Sequence, residues 1–341
     1  MSDRAQTFSV EDILAGNRRA LARAITLVES TRADHRILAA ALLDGLAGHG
    51  RQALRIGLSG TPGVGKSTFI ESLGTMLCGQ GLKIAVLAVD PSSARNGGSI
   101  LGDKTRMERL SRLPGAYIRP SPSQTHLGGV ARRTREAVAL CEAAGFDVVL
   151  IETVGVGQSE TVVAELSDVF VLLLAPAGGD ELQGVKRGIM EAADLIVVNK
   201  ADGDLKATAL RTCADYAGAL RLLRPRIGDA PGFPKAMTAS ALEETGLAQV
   251  WSEVQALAEW RRDTGHWDRR RDDQARHWFT QEVRQALLAR LDTPAAKAWL
   301  AALAEAVVQG RTTATAAAAN LVATLDRHDG GSTLDGADDS P

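Results

Sequence analysis

Leu54-Arg55-Ile56-Gly57-Leu58-Ser59, then Gly60-Thr61-Pro62-Gly63-Val64-Gly65-Lys66-Ser67, then Thr68-Phe69-Ile70-Glu71-Ser72-Leu73-Gly74-Thr75-Met76-Leu77: this stretch decides the fold. A short β-like run, a complete G-x-x-x-x-G-K-[ST] loop and a segment with apolar residues at helical spacing follow one another as a phosphate loop requires. Glycines at 60, 63 and 65 let backbone N–H groups turn inward around a polyphosphate, at the positive end of the next helix. Lys66 neutralises charge on the β and γ phosphates, the Ser67 hydroxyl is placed to ligate Mg²⁺, and Thr68 completes the phosphate-binding set.

Working outward, Asn199-Lys200-Ala201-Asp202 follows the apolar, β-branched run Asp194-Leu195-Ile196-Val197-Val198. It therefore falls at the carboxyl end of a buried parallel strand, where open α/β sheets bind ligands. Asp202 can accept hydrogen bonds from guanine N1–H and N2–H₂. Adenine offers neither, and an unpaired buried carboxylate is costly, so discrimination of about 10⁴ is physically reasonable. Asn199 would brace the loop and the Lys200 stem would cover the base. Ser240-Ala241-Leu242 resembles the segment whose backbone touches guanine O6 in GTPases. The two motifs predict a site for GTP and GDP.

The 341 residues carry 39 Lys and Arg against 41 Asp and Glu, a formal charge of −2, with no sustained basic stripe to suggest nucleic acid. Arg269-Arg270-Arg271 is followed by Asp272 and Asp273 and reads as a solvated helix face. No run approaches the about 18 apolar residues of a membrane span, and Asp3 and Glu11 sit where a targeting peptide would be positive. A cytoplasmic protein that does not engage membranes is the expectation. Cys78, Cys141 and Cys213 have no paired spacing and read as reduced, mostly buried thiols.

The remaining apolar runs extend the sheet. Ile84 to Val89, Val148 to Ile151 and Val169 to Leu174 are continuous rather than alternating, as in strands covered on both faces. The fold class expected is α/β, a P-loop GTPase with a mainly parallel sheet flanked by helices and helical extensions at both ends. Residues 1–51 form the N-terminal extension, with one helix from Ser9 through Val28 and a second from His35 to Leu46. The GTPase domain spans 52–262. In 263–327, Ala275, Phe279, Val283, Leu287 and Leu291 recur every four residues, a second helix starts at Thr293-Pro294, and an Ala-rich third covers 312–325. So small an arm must pack on the core or on another copy, and dimerisation is favoured. The tail, 328–341, is rich in Gly, Asp and Ser and reads as disordered.

Three further stretches narrow the class. The second strand ends in Asp90-Pro91-Ser92-Ser93, the place of D-x-x-G is taken by Glu152-Thr153-Val154-Gly155, and a polar, Gly-rich switch-like run covers Gly97 to Met107. At these residues the chain resembles the MeaB family, the GTPases associated with adenosylcobalamin-dependent acyl-CoA mutases. The likeness rests on Val-Asp-Pro-Ser-Ser, on Gly-Gly-Ser-Ile-Leu-Gly-Asp-Lys-Thr-Arg-Met and on Glu-Thr-Val-Gly-Val-Gly-Gln-Ser-Glu.

The resemblance implies a G-protein chaperone that gates cobalamin loading into the mutase and protects or reactivates it, binding no cobalamin itself. It implies that Asp90, Asp103 and Glu152 join Ser67 around Mg²⁺, with Lys66, Asp90, Asp103 and Glu152 serving hydrolysis, and that the arm mediates homodimerisation. Asp90 also reads as a helix N-cap. An additional family switch corresponds to Gly178 to Lys186, with Asp180 and Lys186 as coupling residues; the same run also reads as an ordinary capped helix start. Val156 stands where many GTPases carry the water-orienting Gln, so hydrolysis by the isolated chain should be slow and completed by a partner. Gln158, two residues on, is a candidate after rearrangement. Two other readings share the phosphate loop: a nickel-insertion GTPase, although the six histidines are scattered, and a kinase of a transport protein, which has no need of Asn199 to Asp202.

Overall fold

A computed structural model of the chain describes residues 8–89, 107–120, 127–153, 159–176 and 187–330. Its centre is a seven-stranded sheet in the order β3-β2-β4-β1-β5-β6-β7, with every pair parallel. The strands are β1 (Leu54–Ser59), β2 (Ile84–Val89), β3 (Ala116–Arg119), β4 (Val148–Thr153), β5 (Val169–Leu174), β6 (Leu195–Val198) and β7 (Lys235–Thr238). β4, β5 and β6 are buried at every position, because Val, Ile and Leu on both faces are covered by helices on both sides. β1 lies between β4 and β5, so strand order reverses around it. The crevice at its carboxyl end is the place where such sheets take ligands.

Two strands carry no sequence signal of their own. β3 and β7 are four residues long and include Arg119, Lys235 and Thr238, so neither shows the continuous apolar run of the buried strands.

The helix expected from Ser9 through Val28 is two helices, α1 (Val10–Leu14) and α2 (Arg18–Glu29). Gly16, at φ 75°, turns the chain left-handed after α1. Asn17 then caps α2, its side-chain oxygen accepting from the Arg19 and Ala20 N–H groups at 3.0 and 3.2 Å. α3 (Ala33–Gly45) is tied to α6 (Leu127–Ala143) by a bidentate pair, Arg36 to Glu136, at 2.9 and 2.8 Å. The other helices around the sheet are α4 (Lys66–Gly79), α5 (Glu108–Ser111), α7 (Ser159–Leu166), α8 (Arg187–Ala192), α9 (Lys206–Arg221) and α10 (Leu247–Asp263).

Below the amino ends of β5 and β6, buried Asp194 accepts from Arg261 and Arg226 at 2.7 and 2.9 Å and from the Phe170 N–H at 2.9 Å. Burial alone would raise its pKa; Arg261 and Arg226 overcome this and hold it below the ordinary value. Arg270 is a correction to the sequence reading. It is not on a solvated face: it is half-buried and donates to the Ser167 and Ala164 carbonyls at 3.0 and 3.1 Å, at the exit of α7. Burial lowers its pKa. Trp267 is likewise buried, its indole N–H donating to Gln52 at 3.0 Å.

The chain divides into compact units at Met1–Arg270 and Arg271–Pro341, with α11 (His266–Ala289) running across the boundary. In the second unit α12 (Pro294–Val308) and α13 (Ala314–Gly330) close a small core of Ala296, Leu321 and Leu325 backed by Leu291, Trp299 and Leu303. Thr293 caps α12, with Pro294 at its first position. Phe279, Val283 and Leu287 of the anticipated stripe are exposed. Cys78, Cys141 and Cys213 are free thiols, Cys141 buried and the others half-buried. Among the described residues no helix is long and apolar enough to cross a membrane.

Candidate nucleotide site

The phosphate loop leaves β1 against β5. A Cβ on Gly60 would lie 2.3 Å from the Leu173 carbonyl oxygen, so only glycine lets the chain turn there. Gly63 and Gly65 adopt φ of 85° and 88°, the left-handed region that glycine enters without strain. α4 begins at Lys66. The Lys66 ammonium donates to the Gly60 and Thr61 carbonyls at 2.6 and 3.4 Å, folding back over the loop that it would share with phosphates. Burial lowers its pKa, opposed by the charges of Glu152 and Glu160.

Glu152 sits near the end of β4, paired in register with Leu58 of β1 and Ala88 of β2, and is only 4% exposed. The Ser67 hydroxyl donates to its carboxylate at 3.4 Å. These two hard oxygen donors at the head of α4 suit Mg²⁺, which favours oxygen ligands. Asp90, Asp103, Gln158, Asp180 and Lys186 lie outside the described residues.

The half that the sequence assigns to guanine is built around Asn199, which is almost fully buried. Its amide donates to the Val64 carbonyl at 2.9 Å, and its side-chain oxygen accepts from the Ala241 N–H at 3.0 Å. One side chain thus joins the phosphate loop to the turn at Ser240-Ala241-Leu242. That turn is pinned by reciprocal backbone bonds between Ser240 and Thr245 at 2.9 and 3.1 Å. The buried Ser240 hydroxyl donates to the Asp202 carboxylate and accepts from the Glu243 N–H, so the residue set to read the base is held from the side of the turn. Lys200 takes φ 58°, a left-handed geometry unusual outside glycine, and is exposed together with Leu242.

Sequence reasoning missed three contributors. Ser72, in the second turn of α4, donates to the Ala241 carbonyl at 2.8 Å and ties the turn to the helix. The Thr153 hydroxyl donates to the Ser59 hydroxyl at 3.1 Å, joining the ends of β4 and β1 just before their loops. Glu160, buried at the start of α7, adds negative charge near Lys66. Ser72 carries no pattern in the sequence, whereas Thr153 and Glu160 lie inside the stretch from Glu152 to Glu160 that carries the family likeness, and only the topology gives them these contacts.

Parallel sheet, phosphate loop and a base-reading loop at the carboxyl end of β6 define a P-loop GTPase. The family model for the methylmalonyl-CoA mutase-associated GTPase MeaB matches residues 21–296. A putative GTPase of Caulobacter vibrioides is 54% identical over 312 residues, covering 91% of this chain and 95% of that protein. The mouse protein named methylmalonic aciduria type A homolog, mitochondrial, is 48% identical over 306 residues, covering 86% and 73%. A solved structure of an LAO/AO transport system kinase is 35% identical, with a TM-score of 0.70 over 93% of this chain and 96% of that one. The chain belongs to the MeaB family of GTPases.

Proposed function

We propose that this chain binds GTP with Mg²⁺, hydrolyses it slowly when alone, and acts as a G-protein chaperone for an adenosylcobalamin-dependent acyl-CoA mutase, methylmalonyl-CoA mutase foremost. Membership of a mutase-associated GTPase family carries the reading, and the joined phosphate and base loops support it. Lys66 and the loop N–H groups hold the β and γ phosphates; Asp202, Asn199 and the Ser240-Ala241-Leu242 turn hold guanine. Ser67, Asp90, Asp103 and Glu152 would hold Mg²⁺, which when bound neutralises charge on the phosphates.

Val156 cannot orient the attacking water, so partner binding completes the site, with Asp180 and Lys186 transmitting it. The chain works in the cytoplasm as a homodimer joined through its C-terminal arm. The test is steady-state GTP hydrolysis with and without each candidate mutase. A few-fold stimulation, which needs only about 1 kcal/mol off the barrier, supports the reading, and Lys186→Ala should keep basal turnover while losing most of it. No stimulation by any mutase would remove the chaperone role.

A second reading, phosphoryl transfer to a transport protein, draws on the likeness to the LAO/AO transport system kinase, at 35% identity. Labelled GTP and such a protein separate the two: label on protein supports the kinase, label only in free phosphate the GTPase.

A further inference from the structure

The last strand leaves one edge of the sheet open. Among the described residues β7 pairs with β6 alone. Within a strand each residue points its N–H and C=O to the same side, alternating along the chain. The Lys235 N–H donates to the Asp194 carbonyl at 3.1 Å and the Ala239 N–H to the Val198 carbonyl at 2.9 Å. Lys235, Met237 and Ala239 therefore face β6, while Ala236 and Thr238 face outward. The Thr238 carbonyl is backed by Gly246, on which a Cβ would lie 2.7 Å from it. That leaves the Ala236 N–H and C=O and the Thr238 N–H without a hydrogen-bond partner among the described residues.

A short edge strand is ordinarily a way of blunting an edge. Here its surroundings do the opposite. Two crevices, about 1130 and 530 Å³, meet at Ala217; the first takes in Lys235 and Ala236, the second Met237 and Thr238. Sharing Ala217, the two adjoin as one trough beside β7, lined on the helix side by Leu210, Ala214, Ala217 and Arg221 of α9. Two of the large apolar residues that are exposed line the crevices, Leu210 the second and Leu222, 87% exposed, the first. Exposed apolar groups beside an open edge suit an interaction surface.

Charge selects the occupant. Lys235 is taken by Glu253 at 2.5 Å, and Arg226 by Asp194 and Asp229 at 2.9 and 2.8 Å. Arg221 and Arg224, at the same end of the trough, are exposed and make no ion pair among the described residues.

We propose that the trough takes an extended segment of a partner protein, added to β7 as an eighth strand, with small aliphatic side chains over Ala214 and Ala217 and an acidic end beside Arg221 and Arg224. The surface adjoins the base-reading turn, since Thr238 lies two residues before Ser240, but the proposal does not rest on the mutase reading.

The probe is the peptide acetyl-Glu-Asp-Val-Thr-Val-Thr-amide added to the full chain. Backbone amide exchange is followed by NMR at Ala236, Met237 and Thr238, and affinity by fluorescence polarisation of a labelled peptide. In the free protein Met237 should be protected and the other two amides exposed; millimolar peptide should protect both. Arg221→Glu with Arg224→Glu should weaken the acidic peptide by about tenfold and strengthen one ending in Lys-Lys. Protection of Ala236 and Thr238 already present in the free protein, which a second copy on this edge would produce, overturns the proposal. So does an absence of added protection at millimolar peptide. Equal binding by the charge-reversed variant overturns the acidic specificity.

Discussion

Asp202 accepts the Ser240 hydroxyl in the structure, and in the proposed site the rest of its carboxylate reads the base. Asp202→Asn keeps an oxygen for Ser240 but replaces an acceptor by an amide donor, which suits the 2-oxo group of xanthine rather than the N2–H₂ of guanine. GTP affinity should fall by about 2 kcal/mol or more, a charge-assisted bond being lost and a donor left unpaired, while xanthosine triphosphate gains. Titration with both nucleotides checks it, and unchanged GTP affinity would remove Asp202 from the base site. The loop itself was legible from four consecutive residues, because Asn199, Lys200 and Asp202 stand together at the end of one strand. The role of Ser240 in holding the carboxylate was not, since the two residues are 38 positions apart.

At the scale of elements, Arg270 shows what a charge pattern conceals. Beside Asp272 and Asp273 it looks like one more solvated arginine, yet it holds the last carbonyls of α7. Arg270→Ala should destabilise the fold by about 1.5–3 kcal/mol, as expected for charge-assisted bonds in a half-buried place. Arg276→Ala should cost under about 0.5 kcal/mol, because Arg276 pairs with Asp272 and Asp273 in full solvent. Denaturant unfolding of both variants tests the contrast. The Asp194 cluster, which joins β5, β6 and α10, adds a pH prediction. Its folded-state pKa lies below the ordinary 3.8, so its stabilisation is complete above that value and is lost as pH falls through the folded one. Asp194→Asn should lower stability at neutral pH and flatten the acid limb of the unfolding midpoint measured against pH. The strands that these charges tie together announced themselves as continuous Val, Ile and Leu runs. β3 and β7 did not, being short and half polar, and the break between α1 and α2 was hidden because Gly16 and Asn17 interrupt an otherwise helical apolar spacing without removing it.

For the whole molecule, the exposed Phe279, Val283 and Leu287 form a stripe at four-residue spacing on α11, with Phe279 70% exposed. A second copy over this stripe would account for the apolar groups left in water. Phe279→Asp together with Val283→Asp should then convert a dimer into a monomer in sedimentation velocity while GTP binding persists. A wild-type monomer, or a variant that stays dimeric, would exclude this face as the contact. The stripe could be read from the sequence because helical periodicity is local. What covers it could not, since a periodic apolar face is written alike whether its cover is the same chain or another.

The side chain of Asn199 sits between the two halves of the nucleotide site like a tie rod, and Ser72 anchors the same turn to the helix that opens at Lys66. With base and phosphates held as proposed, the two grips should not be separate holds: slackening the turn at Ala241 should slacken the loop at Val64. Nucleotide release should then be open to triggering from the base side, without any contact to phosphate. Ser72→Ala, which cuts the second anchor and leaves every phosphate-facing group in place, should speed the dissociation of a fluorescent GDP analogue several-fold, by about 1 kcal/mol for one buried hydrogen bond. An unchanged off-rate in stopped-flow would show that the two holds let go independently.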